Sequence, residues 1–208
     1  MTIEILDEMK LREAVHQLAA RDPDLAGVVE RYGVPPLWDR PPGFASLVRI
    51  ILEQQVSLAS ALAAYKRLEA RLGVVAPAGF LTLDDADLKT IGFSGQKTRY
   101  ARLLAEALLS GTLDLDALGD LPDDEVRAKL ISLKGIGRWS ADIYLLMALC
   151  RSDIWPLSDL ALVQAVARLK KLPAPPTPEE FDQIGEAWRP YRSAAARLAW
   201  FEYLGGKA

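Results

Sequence analysis

The segment LKGIGRWSAD, residues 133–142, sets two glycines one residue apart directly ahead of a helix-forming stretch. Glycine reaches positive φ and carries no Cβ, so another backbone or a ligand can approach it closely. The first N–H groups of a helix lack acceptors within the helix and lie at the positive end of its dipole. Together these make a cradle for a phosphate, and the flanking Lys134 and Arg138 supply cationic charge. A tight turn between two helices, with glycine as the C-cap, accounts for the same residues. Asp159 stands ahead of LALVQAVARL and reads equally as a helix N-cap and as a carboxylate available for chemistry. The one histidine, His16, lies on an amphipathic stretch and reads as surface, and there is one cysteine, Cys150. Serine-type triads, zinc hydrolysis and four-cysteine clusters therefore have no constituents, which leaves carboxylate chemistry.

Helices must position these groups. GFASLVRIILEQQVSLASALAAYKRLEARLG, residues 43–73, repeats apolar residues every three or four positions, with a bend or break at Ser57 or Ser60 and a stop at Gly73. Residues 95–111, 121–135 and 137–150 continue the pattern, and 159–171 follows the turn WPLS with Ser158 or Asp159 as cap. The proline-rich loop 173–180 leads to a short helix at 179–188, and the last helix begins near Tyr191. No alternating strand or Asn-Gly hairpin is present. The expected fold is all-α, with eight to ten helices in two helical lobes and a cleft between them. Residues 43–150 form the central lobe, with the hairpin at 133–139, and residues 1–42 plus 151–208 form the second.

The chain has 208 residues, half of them hydrophobic and a quarter charged, enough for one sizeable core or two small lobes. The start, MTIEILDEMK, lacks the pattern of a secretory signal, and no apolar run is long enough for a membrane span, so a cytoplasmic protein is expected. A net charge of −3 weighs against a nucleic-acid partner. The acids gather in DEMKLRE, LDDADL, DLDALGD and LPDDE, however, so a locally positive face stays open.

Four ordered blocks narrow the reading. They are RIILEQQVSLASALAAYKRL with its Gln-x-x-Ser, GFSGQKTRYARLLAEAL with its Gly-x-Ser-x-x-Lys, LKGIGRWSADIYLL, and WRPYRSAAARLAW. In that order, over about 43–204, they resemble the helix–hairpin–helix DNA glycosylases of the HhH-GPD superfamily, and the last block resembles the 3-methyladenine DNA glycosylase II branch. The resemblance implies a monofunctional base-excision repair enzyme. It would flip alkylated purines of the 3-methyladenine and 7-methylguanine type out of duplex DNA and hydrolyse the N-glycosidic bond. It also implies a compact catalytic core without an N-terminal β-domain, double-stranded DNA as partner, no cofactor, a monomer, and a place at a bacterial nucleoid. Glycosylases for hypoxanthine, uracil or ethenoadenine, and a non-catalytic DNA-structure binder, remain the alternatives.

Residue by residue, the resemblance makes Asp159, 20 positions after Trp139, the catalytic carboxylate. Trp139 and Trp200 become walls of the base pocket, whose indole faces suit a cationic purine. Phe44, Tyr144 and Ile143 join that pocket, while Trp38, Trp155 and Trp188 stay with core or loop packing. Trp139 occupies the position of the lysine in glycosylase/lyase relatives, so Schiff-base chemistry is not expected. Lys134, Gly135, Ile136, Gly137, Arg138 and Ser140 hold the DNA backbone. Gln55 sits where relatives carry a wedge that fills the place of the flipped base, although it also reads as a polar residue at a helix start. The carbonyls of Ile131, Leu133 and Ile136 are candidates for holding a monovalent cation. Asp142 and Asp153 are expected to be solvated.

Overall fold

A computed structural model describes residues 3–207. Twelve α-helices and one short 3-10 turn are present among the described residues, with no strand beyond an isolated bridge between Ile5 and Arg151. The chain divides into two compact units, one of Met1–Asp39 with Leu145–Ala208 and one of Arg40–Tyr144. One boundary falls in the stretch between the helices Pro23–Tyr32 and Phe44–Glu53, and the other falls inside the helix Arg138–Met147, where no change of composition marks it. No helix among the described residues is long and apolar enough to cross a membrane.

The Arg40–Tyr144 unit carries the hairpin. Its helices are α3 (Phe44–Glu53), α4 (Leu58–Leu72), α5 (Pro77–Leu81), α6 (Asp85–Ile91), α7 (Gly95–Leu109), α8 (Asp123–Ile131) and the start of α9 (Arg138–Met147). The long periodic stretch of 43–73 breaks in two, because Ser57 caps α4 by accepting the Ser60 N–H. The total exceeds the eight to ten helices expected. The short α5 and α6 are nucleated by local signals, a proline at the start of one and an Asp84 cap on the other. Phe80 is fully buried between Phe44 and Phe93, at ring-centroid distances of 5.8 and 5.6 Å. Leu47, Ile50, Ile51, Leu104 and Val126 are buried with it.

The other unit contains α1 (Glu8–Arg21), α2 (Pro23–Tyr32), α10 (Leu160–Leu169), α11 (Pro178–Glu186) and α12 (Arg192–Tyr203). Small residues of α12, Ala194, Ala195, Ala196 and Ala199, are fully buried and let α10, α2 and α1 pack closely on it. Arg197 of the same helix is also fully buried. Its guanidinium donates to the carbonyls of Leu37, Ser193 and Leu146, and burial pulls its pKa down to about 10. Trp155 stacks on Phe181 at 4.7 Å and meets Trp188 edge-on at 5.3 Å, so both tryptophans are core.

Candidate functional site

The turn between α8 and α9 is built from local bonds. The Leu133 N–H donates to Leu130 O and the Ile136 N–H to Leu133 O, each at 3.1 Å. Ile136 buries its side chain at 4% exposure, anchoring the tip of the turn. Gly135 has φ +101°, and a Cβ there would fall inside the Tyr100 ring, so the fold itself demands glycine. Gly137 differs. It is exposed, its φ is not in the left-handed region, and a Cβ there would meet open space. Nothing within the fold therefore requires glycine at position 137. Lys134 and Arg138 are exposed on either side.

Beneath the turn lies a residue to which sequence reading assigned no role. Gln54 Nε2 donates to Gly135 O and to Ser140 Oγ, both at 2.9 Å. Ser140 is thus 2% exposed with its hydroxyl turned inward to the brace, away from solvent. Its main-chain N–H, in the first turn of α9, keeps the outward role open. Asp142, expected to be solvated, is fully buried. Arg127 Nε lies 2.7 Å from its Oδ1 and Arg138 Nε 3.6 Å from its Oδ2. Asp153 is likewise engaged, by Arg192 and Arg189. Among the described residues no group of three or more His, Cys, Asp or Glu is placed to hold a metal ion. The carbonyls of Leu133 and Ile136 belong to one hydrogen-bonded turn that starts two residues after Ile131.

Gln55 projects from the α3–α4 turn, exposed and at φ +57°, a left-handed conformation uncommon for a residue with a side chain. Such a residue persists where its neighbours fix it. Here Lys97 Nζ donates to Leu52 O at 2.7 Å, and burial pulls the pKa of that ammonium down. The Arg40 guanidinium grips both oxygens of the buried Glu53, at 3.0 and 2.8 Å. The Gly-x-Ser-x-x-Lys block thus supplies a lysine that holds the end of α3.

In the second unit, Asp159 is the N-cap of α10, and its Oδ1 accepts the Leu162 N–H at 2.7 Å. The capping is by Asp159 and not by Ser158, which is exposed. Trp200 Nε1 approaches the same Oδ1 at 3.4 Å, and the two residues are 7% and 9% exposed. Two of the sequence candidates, one from each side of α10, therefore meet. Trp139 is half-buried at the start of α9. Three further pocket candidates face inward. Tyr144 is fully buried with its hydroxyl accepting the Gly43 N–H at 3.0 Å, and burial pushes that phenol's pKa up. Ile143 is 3% exposed, and Phe44 at 6% packs on Phe80. Their apolar side chains are spent on the core of the hairpin unit.

Known proteins are similar to this chain in sequence and in fold. DNA-3-methyladenine glycosylase 1 of Schizosaccharomyces pombe is 29% identical over 161 residues, 76% of this chain and 71% of its own. A DNA-3-methyladenine glycosylase of Bacillus subtilis is 25% identical over 203 residues, covering 89% and 65%. The solved structure of the S. pombe 3-methyladenine DNA glycosylase in complex with abasic DNA superposes with a TM-score of 0.83 at 25% identity. It covers 91% of this chain and 95% of that one. Curated relatives run longer, and the chain spans 64% of one and 71% of the next. The helix–hairpin–helix pattern, the braced glycine turn and the aspartate at the head of α10 all lie within the matched stretch 48–190, and the chain belongs to the HhH-GPD superfamily of base excision DNA repair proteins.

Proposed function

We propose that this protein is a monofunctional DNA glycosylase that removes alkylated purines of the 3-methyladenine and 7-methylguanine type from duplex DNA. The observation that carries the reading is the meeting of Asp159 and Trp200. A carboxylate oriented by a backbone N–H and an indole N–H sits at the edge of an aromatic face. Hydrolysis of the N-glycosidic bond passes through a sugar with oxocarbenium character. A fixed carboxylate stabilises that developing positive charge and orients the attacking water. The water oxygen bonds to C1′, the C1′–N electron pair leaves with the base, and the released proton passes to solvent.

The aromatic partners suit a cationic leaving group. The face of Trp139 and the face of Trp200 each suit a positively charged methylated purine, whereas Phe44, Tyr144 and Ile143 lie buried in the Arg40–Tyr144 unit. The target base must leave the stack to react, with Gln55 filling its place. The hairpin holds the backbone through main-chain N–H groups around Gly135, Ile136, Gly137 and Ser140, with Lys134 and Arg138 adding charge. The carbonyls of Ile131, Leu133 and Ile136 are candidates to hold a monovalent cation against the same phosphate. Trp139 where relatives carry a lysine leaves no amine for strand cleavage.

Purified protein is assayed for base release on duplex oligonucleotides carrying single lesions, beside the Asp159→Asn variant. Asparagine keeps an oxygen to cap α10, so the fold survives while the negative charge goes. Release of cationic purines is expected to fall about 10²- to 10³-fold in the variant, the range for losing one well-placed electrostatic group. Full activity in the variant overturns the role of Asp159. Release of neutral bases at equal rates overturns the lesion class, and no release by the parent overturns the enzymatic reading.

A further inference from the structure

Gln54 and Gln55 are adjacent residues of opposite disposition. Gln55 is exposed, with φ +57°. Gln54 is half-buried and spends its amide on the hairpin, donating to Gly135 O and Ser140 Oγ at 2.9 Å each. A primary amide has two N–H donors on one nitrogen, and here both are used. The two acceptors bracket Ile136, Gly137, Arg138 and Trp139. One side chain therefore pins both ends of the segment proposed to grip the phosphate. Its own backbone is joined through a single peptide bond to the residue proposed to fill the place of the flipped base.

The surrounding bonds make this link stiff. Leu52 is held by Lys97 Nζ at 2.7 Å, and Glu53 by the paired nitrogens of Arg40. On the far side Ser57 caps α4. With the turn fixed before and after it, a displacement of the hairpin segment reaches Gln55 through Gln54. All of these residues lie in the Arg40–Tyr144 unit.

We propose that Gln54 is a positioning residue that couples the hairpin's hold on the DNA backbone to the side chain of Gln55, so that a base is displaced where the hairpin is seated. This rests on the glycosylase reading above and adds to it a route between the two DNA contacts. The chemistry is specific to an amide. Glutamate offers no pair of donors and sets a negative charge against the Gly135 carbonyl, and methionine keeps the length without any donor.

The test compares the parent with Gln54→Met and Gln54→Glu. The first readout is affinity for undamaged duplex. The second is fluorescence of a 2-aminopurine beside a tetrahydrofuran abasic analogue, which brightens when the stack opens. The third is single-turnover release of 3-methyladenine. Expected are undamaged-duplex affinities within about threefold of the parent, with the fluorescence rise and the release rate each falling at least tenfold. A fall in all three by the same factor overturns the proposal, because Gln54 then only holds the hairpin in shape. Unchanged fluorescence and release overturn it as well. Should both variants fail to fold, Lys97→Met removes the bond that holds Leu52 ahead of the link. It is expected to lower release three- to tenfold with undamaged affinity kept, and equal losses overturn the proposal. A parent that releases no base sinks the glycosylase reading, whereas the abasic-analogue fluorescence still decides the coupling, since that duplex needs no bond cleavage.

Discussion

Two glycines separated by one residue serve different masters. Gly135 is fixed from inside, by φ +101° and by the Tyr100 ring lying where a Cβ would project. The ring is itself held, because Gln96 Nε2 meets the Tyr100 hydroxyl at 2.6 Å. Gly135→Ala is therefore expected to cost about 2–4 kcal/mol, summing a left-handed penalty of about 1–2 and the strain of overpacking. Adding Tyr100→Ala to it recovers the packing share and leaves the backbone share. Gly137→Ala meets open space and is expected to change stability by less than about 0.5 kcal/mol. Its methyl group stands instead in the way of an approaching phosphate, so duplex affinity falls. Urea unfolding and fluorescence anisotropy on the two variants separate these cases. Equal stability losses at both positions would refute the division of labour between them.

At the scale of elements, one aspartate joins three helices. Asp22 caps α2 through the Asp24 and Leu25 N–H groups, accepts Trp188 Nε1 at 2.7 Å beyond α11, and receives Lys170 Nζ, at the end of α10, on both oxygens. Burial works to raise its pKa, but the bonds from Lys170 and Trp188 prevail and hold it below 3.8. For Lys170 burial works downward, and the bonds to Asp22 and Asp24 prevail to hold the ammonium above 10.5. Asp22 thus contributes full stability above about pH 3.8, lost as pH falls below that value through its depressed pKa. Lys170 contributes fully below about pH 10.5, lost as pH rises through its elevated pKa. Asp22→Ala is expected to cost about 3 kcal/mol at pH 7, as for a broken buried pair. By denaturant titration that deficit shrinks as pH falls below about 3.8, because the unfolded chain then takes up a proton that the folded carboxylate resists, and a constant deficit would count against the network. None of this network is legible in the sequence, because Asp22 and Lys170 stand 148 positions apart. The Gln54 brace, the Tyr100 ring under Gly135 and the buried Asp142–Arg127 pair escape sequence reading for the same reason. What sequence reading does reach is local: the glycine turn, the amphipathic helices, the Asp159 cap. The short α5 and α6 escape because five and seven residues are too few to show a period. The inward turn of Phe44, Ile143 and Tyr144 escapes because apolar residues look alike on a pocket wall and in a core.

For the whole molecule, the proposed function asks an acidic chain to hold a polyanion. A net charge of −3 with 28 acidic and 25 basic residues leaves no general basic surplus. Many basic side chains are also committed within the fold, among them Arg40 to Glu53, Arg127 to Asp142, Lys170 to Asp22 and Arg192 to Asp153. Duplex binding by the proposed route then depends on neutral N–H groups of the hairpin, which release few counterions, with Lys134 and Arg138 as its charged flank. The logarithm of duplex affinity is accordingly expected to fall with the logarithm of salt concentration at a shallow slope, about −2. Lys134→Ala should reduce that slope by about 1. Arg138→Ala should reduce it by less, because Asp142 lies 3.6 Å from that guanidinium and already draws on its charge. Anisotropy titrations from low to moderate salt measure all three slopes. A parent slope steeper than about −6 would require a basic face elsewhere on the protein, and slopes indifferent to Lys134 and Arg138 would remove the hairpin from the DNA contact.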